Sequence, residues 1–305
     1  MNVDPERIHL QAVGAGTSDV GLQREHNEDS FAIATEHGLF LVADGMGGHR
    51  AGDVASQLAS ETISEFFQRT AGDDMTWPFQ FDSSLSDEEN RLQTAIRLAN
   101  RHIHEHSARS PDLRGMGTTV VGALFSPDKR KMFIGHVGDS RAYRIRNGAI
   151  TQLTRDHSLV NEYLVAMPDM PEEQRSELPK NVITRALGMQ DSVEVDLLVD
   201  EVEPGDVYVL CSDGLSGMLS DEHICETVLS DPDLQAACER LVTRANEHGG
   251  EDNVTAVLVR IQSAAEPVDQ FARTMVNPVR ADDVSPNDAT EPEFPAAKRA
   301  VDSDP

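Results

Sequence analysis

Four times along this chain an apolar, strand-forming run meets an aspartate beside a small or turn-forming residue. The four are LFLVADG at Asp44 and Gly45, FIGHVGDS at Asp139, VYVLCSDG at Asp213 and, in reverse order, GGEDNVTAVLV at Asp252. A single Asp-Gly at a strand end is more often just a turn, because both residues favour turn geometry. Four together constrain the fold. If the strands end at one place their carboxylates converge, and converging carboxylates repel unless a cation sits among them. All-oxygen ligation with little histidine or cysteine nearby selects a hard ion, Mg²⁺ or Mn²⁺, over zinc. A carboxylate shared by two ions would build a two-metal centre, which lowers the pKa of a shared water so that hydroxide can attack phosphorus.

The strand candidates are Phe31–Ala34, Leu39–Ala43, Thr118–Phe125, Met132–Val137, Val207–Cys211 and Val254–Ile261, mostly short and rich in β-branched or aromatic residues. In RAYRIRNGAITQLT, Asn147-Gly148 separates two alternating runs and suits a type I′ hairpin turn. Helical spacing predicts a helix over Ala51–Arg69 with Val54, Leu58, Phe66 and Phe67 on one face. A second begins at a capping box formed by Ser86 and Glu89, and a third starts at Asp231-Pro232 with Asp231 as its cap. Hairpins and few amphipathic helices argue for antiparallel sheets, hence an α+β fold with a central antiparallel β-sandwich flanked by helices. The polar stretch from Asp156, centred on MPDMPEEQ, interrupts the strands and reads as an inserted flap over about residues 156–188. The catalytic domain is expected over residues 1–262. Residues 263–305, rich in Pro, Ala, Asp and Glu, read as a disordered acidic tail.

The formal charge of −27, from 53 acidic against 26 basic residues, argues against a nucleic-acid partner, since phosphate backbones are held by lysine and arginine. The start, MNVDPERIHLQAVGAG, lacks a signal-peptide pattern, and no window approaches the roughly 20 apolar residues of a membrane helix. Three cysteines, Cys211, Cys225 and Cys238, do not make a disulfide framework, so a cytoplasmic monomer is expected.

The segment GLQREHNEDS adds Arg24, Glu28 and Asp29. Charged runs are usually solvated loops. Yet a guanidinium fork suits a phosphate oxyanion, and the two acids could hold metal-bound waters. At this point six ordered motifs, RxxNEDS, DGMGGH, GTTVV, GDSRAY, SDG and EDNVT, make the chain resemble the protein phosphatase 2C family in its bacterial form, from about Gly14 to Ile261. The resemblance implies a four-layer αββα fold, a Mn²⁺ or Mg²⁺ pair, and hydrolysis of phosphoserine or phosphothreonine by direct attack of a metal-bridging water. It also implies roles: Asp44 bridging the metals, the Gly45 carbonyl on one of them, Asp213 and Asp252 on the other, and Arg24 on the phosphate. Glu28 and Asp29 would stand near the metal waters, while Asp139 with Asp213 would hold a weaker third ion. The implied partners are phosphorylated proteins, the substrates of a Ser/Thr kinase and the kinase itself. Met46 stands where many eukaryotic members carry a histidine proposed as general acid, and His49 is better read as a helix-start residue.

Other signals weigh less. In RHIHEH only His102 and His106 share a helix face, which suggests a solvated helix. His136 and His157 have no role derivable from sequence. Cys211 lacks the phosphate-cradling loop of a cysteine phosphatase. Trp77, Phe79 and Phe81 suit packing under a loop. The competing functions are a catalytically silent phosphatase-like regulatory or phosphoprotein-binding module and, on ligand chemistry alone, a metal-dependent nuclease.

Overall fold

The computed structural model describes residues 9–47, 51–70, 79, 81–171, 174, 178–179 and 182–263. Its strands form two antiparallel sheets. One runs in the order β1 (Leu10–Asp19), β11 (Val254–Ser263), β10 (Val207–Cys211), β7 (Arg141–Arg146) and β8 (Ala149–Gln152). The other runs β2 (Asp29–Ala34), β3 (Leu39–Met46), β5 (Val120–Ser126), β6 (Lys131–Val137) and β9 (Asp196–Glu201), with the two-residue β4 (Gly117–Thr118) paired to the end of β3. Helices α1 (Ala51–Arg69) and α2 (Asp87–Arg109) share a core with the second sheet. Helices α5 (Asp221–Leu229) and α6 (Leu234–Glu247) share one with the first. The layers are helix, sheet, sheet, helix.

Three cores explain why the strands read as unbroken apolar runs. Leu39, Leu41 and Ala43 of β3 point towards α1 and α2, while Phe40 and Val42 point between the sheets. In β10, Val207, Val209 and Cys211 face the helices α5 and α6, and Tyr208 and Leu210 face the other sheet. Both faces of these strands are covered, so neither alternates with polar residues. Each large side chain buried this way contributes roughly 1.5–3 kcal/mol.

Register then decides where the aspartates go. Cys211 pairs with Ala256 and Arg141, Val42 with Val121, and Val120 with Val137. These pairs bring the ends of β3, β6 and β10 and the starts of β7 and β11 to one end of the sandwich, where the short helix α4 (Asp213–Ser216) also begins.

The hairpin turn has positive φ at both Asn147 and Gly148, as a type I′ turn requires. The capping box at Ser86 and Glu89 is formed in both directions. The third helix departs from expectation: Asp233, which accepts from the Ala236 N–H, is its cap, and the helix starts at Leu234. Asp231 instead accepts from the Asp233 N–H and pairs with Arg240. The sequence reading also passed over β1, β9 and α5. In β1, Gly14 and Gly16 depress strand propensity, yet a side chain there would come within 2.5 Å of the Phe40 ring or 2.8 Å of the Phe31 ring. Within the flap span, α3 (Leu159–Ala166) forms, and isolated bridges join Ser158 to Ile183 and Thr118 to Leu187. Ser263, expected to begin the tail, pairs with Leu10 as the last residue of β11, and the rest of the tail lies outside the described residues. Among the described residues no helix is long and apolar enough to cross a membrane.

Phe40 is fully buried between the sheets. Phe40→Ala is expected to lower unfolding free energy by about 3–5 kcal/mol in urea titrations followed by circular dichroism. A loss below about 1 kcal/mol would contradict this packing.

Candidate metal centre

Asp44 lies near the end of β3, opposite Asp29 on β2. Its backbone is fixed on both sides. The Asp44 N–H donates to Thr119 Oγ1 at 3.2 Å, and its carbonyl accepts from the Thr119 N–H and the Thr118 hydroxyl, both at 2.8 Å. The Thr119 hydroxyl also bonds Ser140 Oγ at 2.7 Å, which ties β3 to the turn that carries Asp139. Gly45 donates its N–H to the Glu28 carbonyl at 3.1 Å.

Asp29 receives two hydroxyls on Oδ2, Ser212 at 2.8 Å and Thr255 at 2.7 Å, whereas its buried Oδ1 has no partner. Asp139 likewise has a buried Oδ1 without a partner. Asp213 opens α4, and the next residue, Gly214, approaches so closely that a Cβ would stand 2.0 Å from the Asn253 carbonyl oxygen. Asp252 accepts from Arg24 Nη2 at 2.6 Å and from the Asn253 N–H at 2.8 Å. Arg24 is half-exposed at the rim. The Glu28 carboxylate lies against Gly52 near the start of α1.

Electrostatics join these groups. Burial, then the charges of Asp29, Asp213, Asp139 and Asp252, holds the Asp44 carboxyl well above the usual range. Burial and neighbouring Asp213 push Asp139 up to about 7, and burial pushes Asp29 to about 7 despite its two hydroxyl donors. Asp213 is raised by burial and Asp252, and Glu28 chiefly by burial. The nearby cations do not compensate, since Arg24 pairs with Asp252 and Arg141 is spent on Asp156 through bonds of 2.7 to 3.0 Å. Orphaned carboxylate oxygens in an all-oxygen set fit hard divalent cations. Asp29, Asp44, Asp139, Asp213 and Asp252 are thus brought together, with Arg24 and Glu28 alongside.

The sequence reading missed the residues that hold this arrangement. Asn253, buried, accepts the Glu28 N–H at 2.8 Å and donates to the Val20 and His26 carbonyls at 2.9 Å each. It clamps the Arg24 loop to β11. Its position beside Asp252 was the only available signal. Ser212, Thr255, Thr119 and the Arg141–Asp156 pair are scattered in sequence and were not visible as a set.

His136 and His157 stack at 4.7 Å between ring centroids, and with Asp196 they bring three ligand atoms within 4.8 Å of one another. His157 Nδ1 already accepts the Gly138 N–H at 3.0 Å, so the neutral ring carries its proton on Nε2, 3.2 Å from Asp196 Oδ2. An ion on Nε2 would require an imidazolate or loss of the Gly138 bond. The ring is therefore a fastener between the flap root, β9 and the Asp139 turn. Within RHIHEH, His102 meets Thr62 and His104 meets the Gly188 carbonyl, so they serve different contacts. Cys211 is buried and its thiol is pushed up to about 12, which makes it inert as a nucleophile. Phe79 packs under the Arg101 guanidinium, and Phe81 is 41% exposed. His49 and Trp77 lie outside the described residues.

A family model described as protein phosphatase 2C matches residues 16–259. The chain is similar to the serine/threonine phosphatase stp of Listeria monocytogenes, 38% identical over 245 residues that cover 79% of this chain and 93% of that protein. It is also similar to the serine/threonine protein phosphatase PstP of Mycobacterium tuberculosis, 38% identical over 255 residues, 84% of this chain and 46% of that longer protein. A solved structure of the PstP catalytic domain in complex with two manganese ions superposes with a TM-score of 0.70 at 37% identity, covering 83% of this chain and all of that one.

The raised carboxylates carry a stability prediction. In the metal-free fold Asp29 and Asp139 keep protons that the unfolded chain, with values near 3.8, has released. The folded state then binds more protons, so these groups favour folding below about pH 4 and lose that contribution as pH rises to about 7. In chelator, Asp139→Asn should exceed wild type in stability above about pH 7, by an amount on the order of a few kcal/mol, and match it near about pH 4. Urea unfolding at both pH values checks this; a variant less stable than wild type at the higher pH would contradict it.

Proposed function

This chain belongs to the protein phosphatase 2C family and is a protein serine/threonine phosphatase, and we propose that Asp44, Gly45, Asp213 and Asp252 hold the two divalent ions its chemistry requires. The observation that carries this assignment is the set of buried carboxylates that drive one another towards protonation for want of positive charge. A manganese-bound relative of the same fold supports manganese here, and Mg²⁺ shares its hard, oxygen-seeking character. When bound, the ions supply Lewis acidity, which makes a nucleophile from water near neutral pH and neutralises charge on the phosphoryl oxygens.

The chain's own residues divide the remaining work. Asp44, on a backbone locked by Thr118 and Thr119, feels the charges of Asp29, Asp139, Asp213 and Asp252 together, so its carboxylate would be the one shared between ions. Arg24 is half-exposed and, among the described residues, hydrogen-bonded to Asp252 alone, so a phosphate monoester can take its guanidinium fork. Glu28 and Asp29 would serve as acceptors for water on the ions, Asp29 held in place by Ser212 and Thr255. Asp139 and Asp213 together offer a further, weaker cation site. Met46 donates no proton, and burial lowers His136 to about 4, so neither is poised to protonate a leaving alkoxide near neutral pH.

We place the substrates among proteins phosphorylated by a Ser/Thr kinase, the kinase included, and the enzyme in the cytoplasm as a monomer. Three free buried cysteines and the surplus of negative charge support that placement. The silent-module alternative has no vacant ligand position to favour it.

With a phosphothreonine peptide, turnover should require added Mn²⁺ or Mg²⁺ and vanish in excess chelator. Asp213→Asn should reduce kcat by more than about 100-fold, because loss of even an outer-shell partner costs about 10–100-fold. Its circular dichroism should match wild type. Activity persisting in chelator would contradict the metal assignment. A chain ending at Ser263 should keep its kcat on the same peptide, and a large loss would put the tail in the site.

A further inference from the structure

Met46 and Met189 converge over the bare Cα of Gly117. A Cβ built on Gly117 would stand 3.3 Å from Met189 Sδ and 3.5 Å from Met46 Cε, so the two thioethers pack together over a buried backbone position that has no side chain of its own. The groove they bound, about 410 Å³, continues past Ile183, Ala186 and Val193 on the segment returning from the flap, with Thr184, Gln190 and Ser192 supplying a polar side. We infer that this groove takes an apolar side chain of the substrate polypeptide, a few residues from the phosphorylated one. The inference rests on the phosphatase reading above and adds the substrate class that the same site prefers.

Continuity with the metal centre fixes the occupant. Met46 follows Asp44 by two residues on one strand, about 7 Å along it, and an extended substrate advances about 3.3 Å per residue. A phosphorylated side chain at the aspartates therefore brings its neighbours, two or three positions away, over the groove. Charge disfavours an acidic side chain. Among the described lining residues only Arg185 and Glu194 are charged, and they face each other at 3.7 Å while Arg185 Nη1 is held by Asp196 at 2.5 Å. Arg185 is thus shared between two carboxylates and offers no free positive charge to an acidic side chain.

The backbone beneath the methionines is fixed by hydrogen bonds. Leu187 and Thr118 exchange backbone hydrogen bonds, the Gly188 N–H donates to Asn100 Oδ1 at 2.8 Å, and Asn100 Nδ2 donates to the Gln190 carbonyl at 3.1 Å. Asn100 is itself buried, so α2 anchors the loop from beneath. Above that fixed backbone, unbranched methionine walls adapt to several apolar shapes. Met189 is 56% exposed and Val182 41%, and Leu159 at the start of α3 donates its N–H to the Val182 carbonyl. Tyr163, Val165 and Met167 of that helical segment are exposed as well.

The experiment uses the full-length, Mn²⁺-loaded protein and phosphothreonine peptides in a Gly/Ser background. A single leucine is moved through each of the three positions on either side of the phosphothreonine. The readout is the ratio of kcat/KM with leucine to that without, taken within each enzyme variant. Wild type should show a gain of about tenfold at one or two positions, mostly through KM, the scale expected of one apolar side chain in a pocket. Met189→Asp should bring the ratio to about one and Met189→Leu should restore it. A flat profile in a wild type that hydrolyses p-nitrophenyl phosphate would overturn the groove while leaving the phosphatase reading intact, as would a gain that survives Met189→Asp. A concentration-dependent dimer in sedimentation that Met189→Asp dissociates would also overturn it, by giving the groove to a second copy of the chain. A wild type inactive on p-nitrophenyl phosphate and every peptide would remove the phosphatase reading itself, and the groove's role with it.

Discussion

Carboxylates buried side by side repel, and most of what is distinctive here exists to force them together. Asp29, Asp44, Asp139 and Asp213 all sit where burial and one another's charge oppose ionisation. Isolated, such a cluster would cost stability; with divalent cations among them the same charges become ligands. The scaffold's part is to deny the aspartates any alternative. Hydroxyls from Ser212 and Thr255 fix Asp29, Thr118 and Thr119 fix the Asp44 backbone, and Asn253 ties the loop of Arg24 and Glu28 to β11.

The three-core sandwich is what makes such precision possible. Strands covered on both faces have nowhere to slip, because a shift of one residue would exchange the helix-facing set with the sheet-facing set. Leu39, Leu41 and Ala43 against Phe40 and Val42 illustrate the constraint in β3. Fixed registers then place the ends of β3, β6 and β10 together, and the site inherits its geometry from packing several layers away.

Legibility in the sequence followed the range of the interactions. Asp44 and Asp213 stood out because each ends its own apolar run, a feature contained in a few neighbouring residues. Asn253 did not, since its partners Val20, His26 and Glu28 lie more than two hundred positions away. β1 was hidden by Gly14 and Gly16, whose absent side chains make room for rings on the facing sheet. The start of α6 was misplaced by two residues because Asp231 and Asp233 are equally good caps in isolation, and the pairing of Asp231 with Arg240 decides between them. His136 and His157 acquire a meaning only when β6, β9 and the flap root are brought together, and Met46 faces Met189 only after the flap returns past α2.

The central claim is that this aspartate cluster is a cation site in which ions replace protons. Isothermal titration of the metal-free protein with Mn²⁺ at pH 7, repeated in buffers of different ionisation enthalpy, measures the protons displaced directly. Asp29 and Asp139, held at about 7, and Asp44, raised well above the usual carboxylate range, should release at least about one proton per chain as manganese binds. Manganese binding with no proton release, or no binding, would contradict the account.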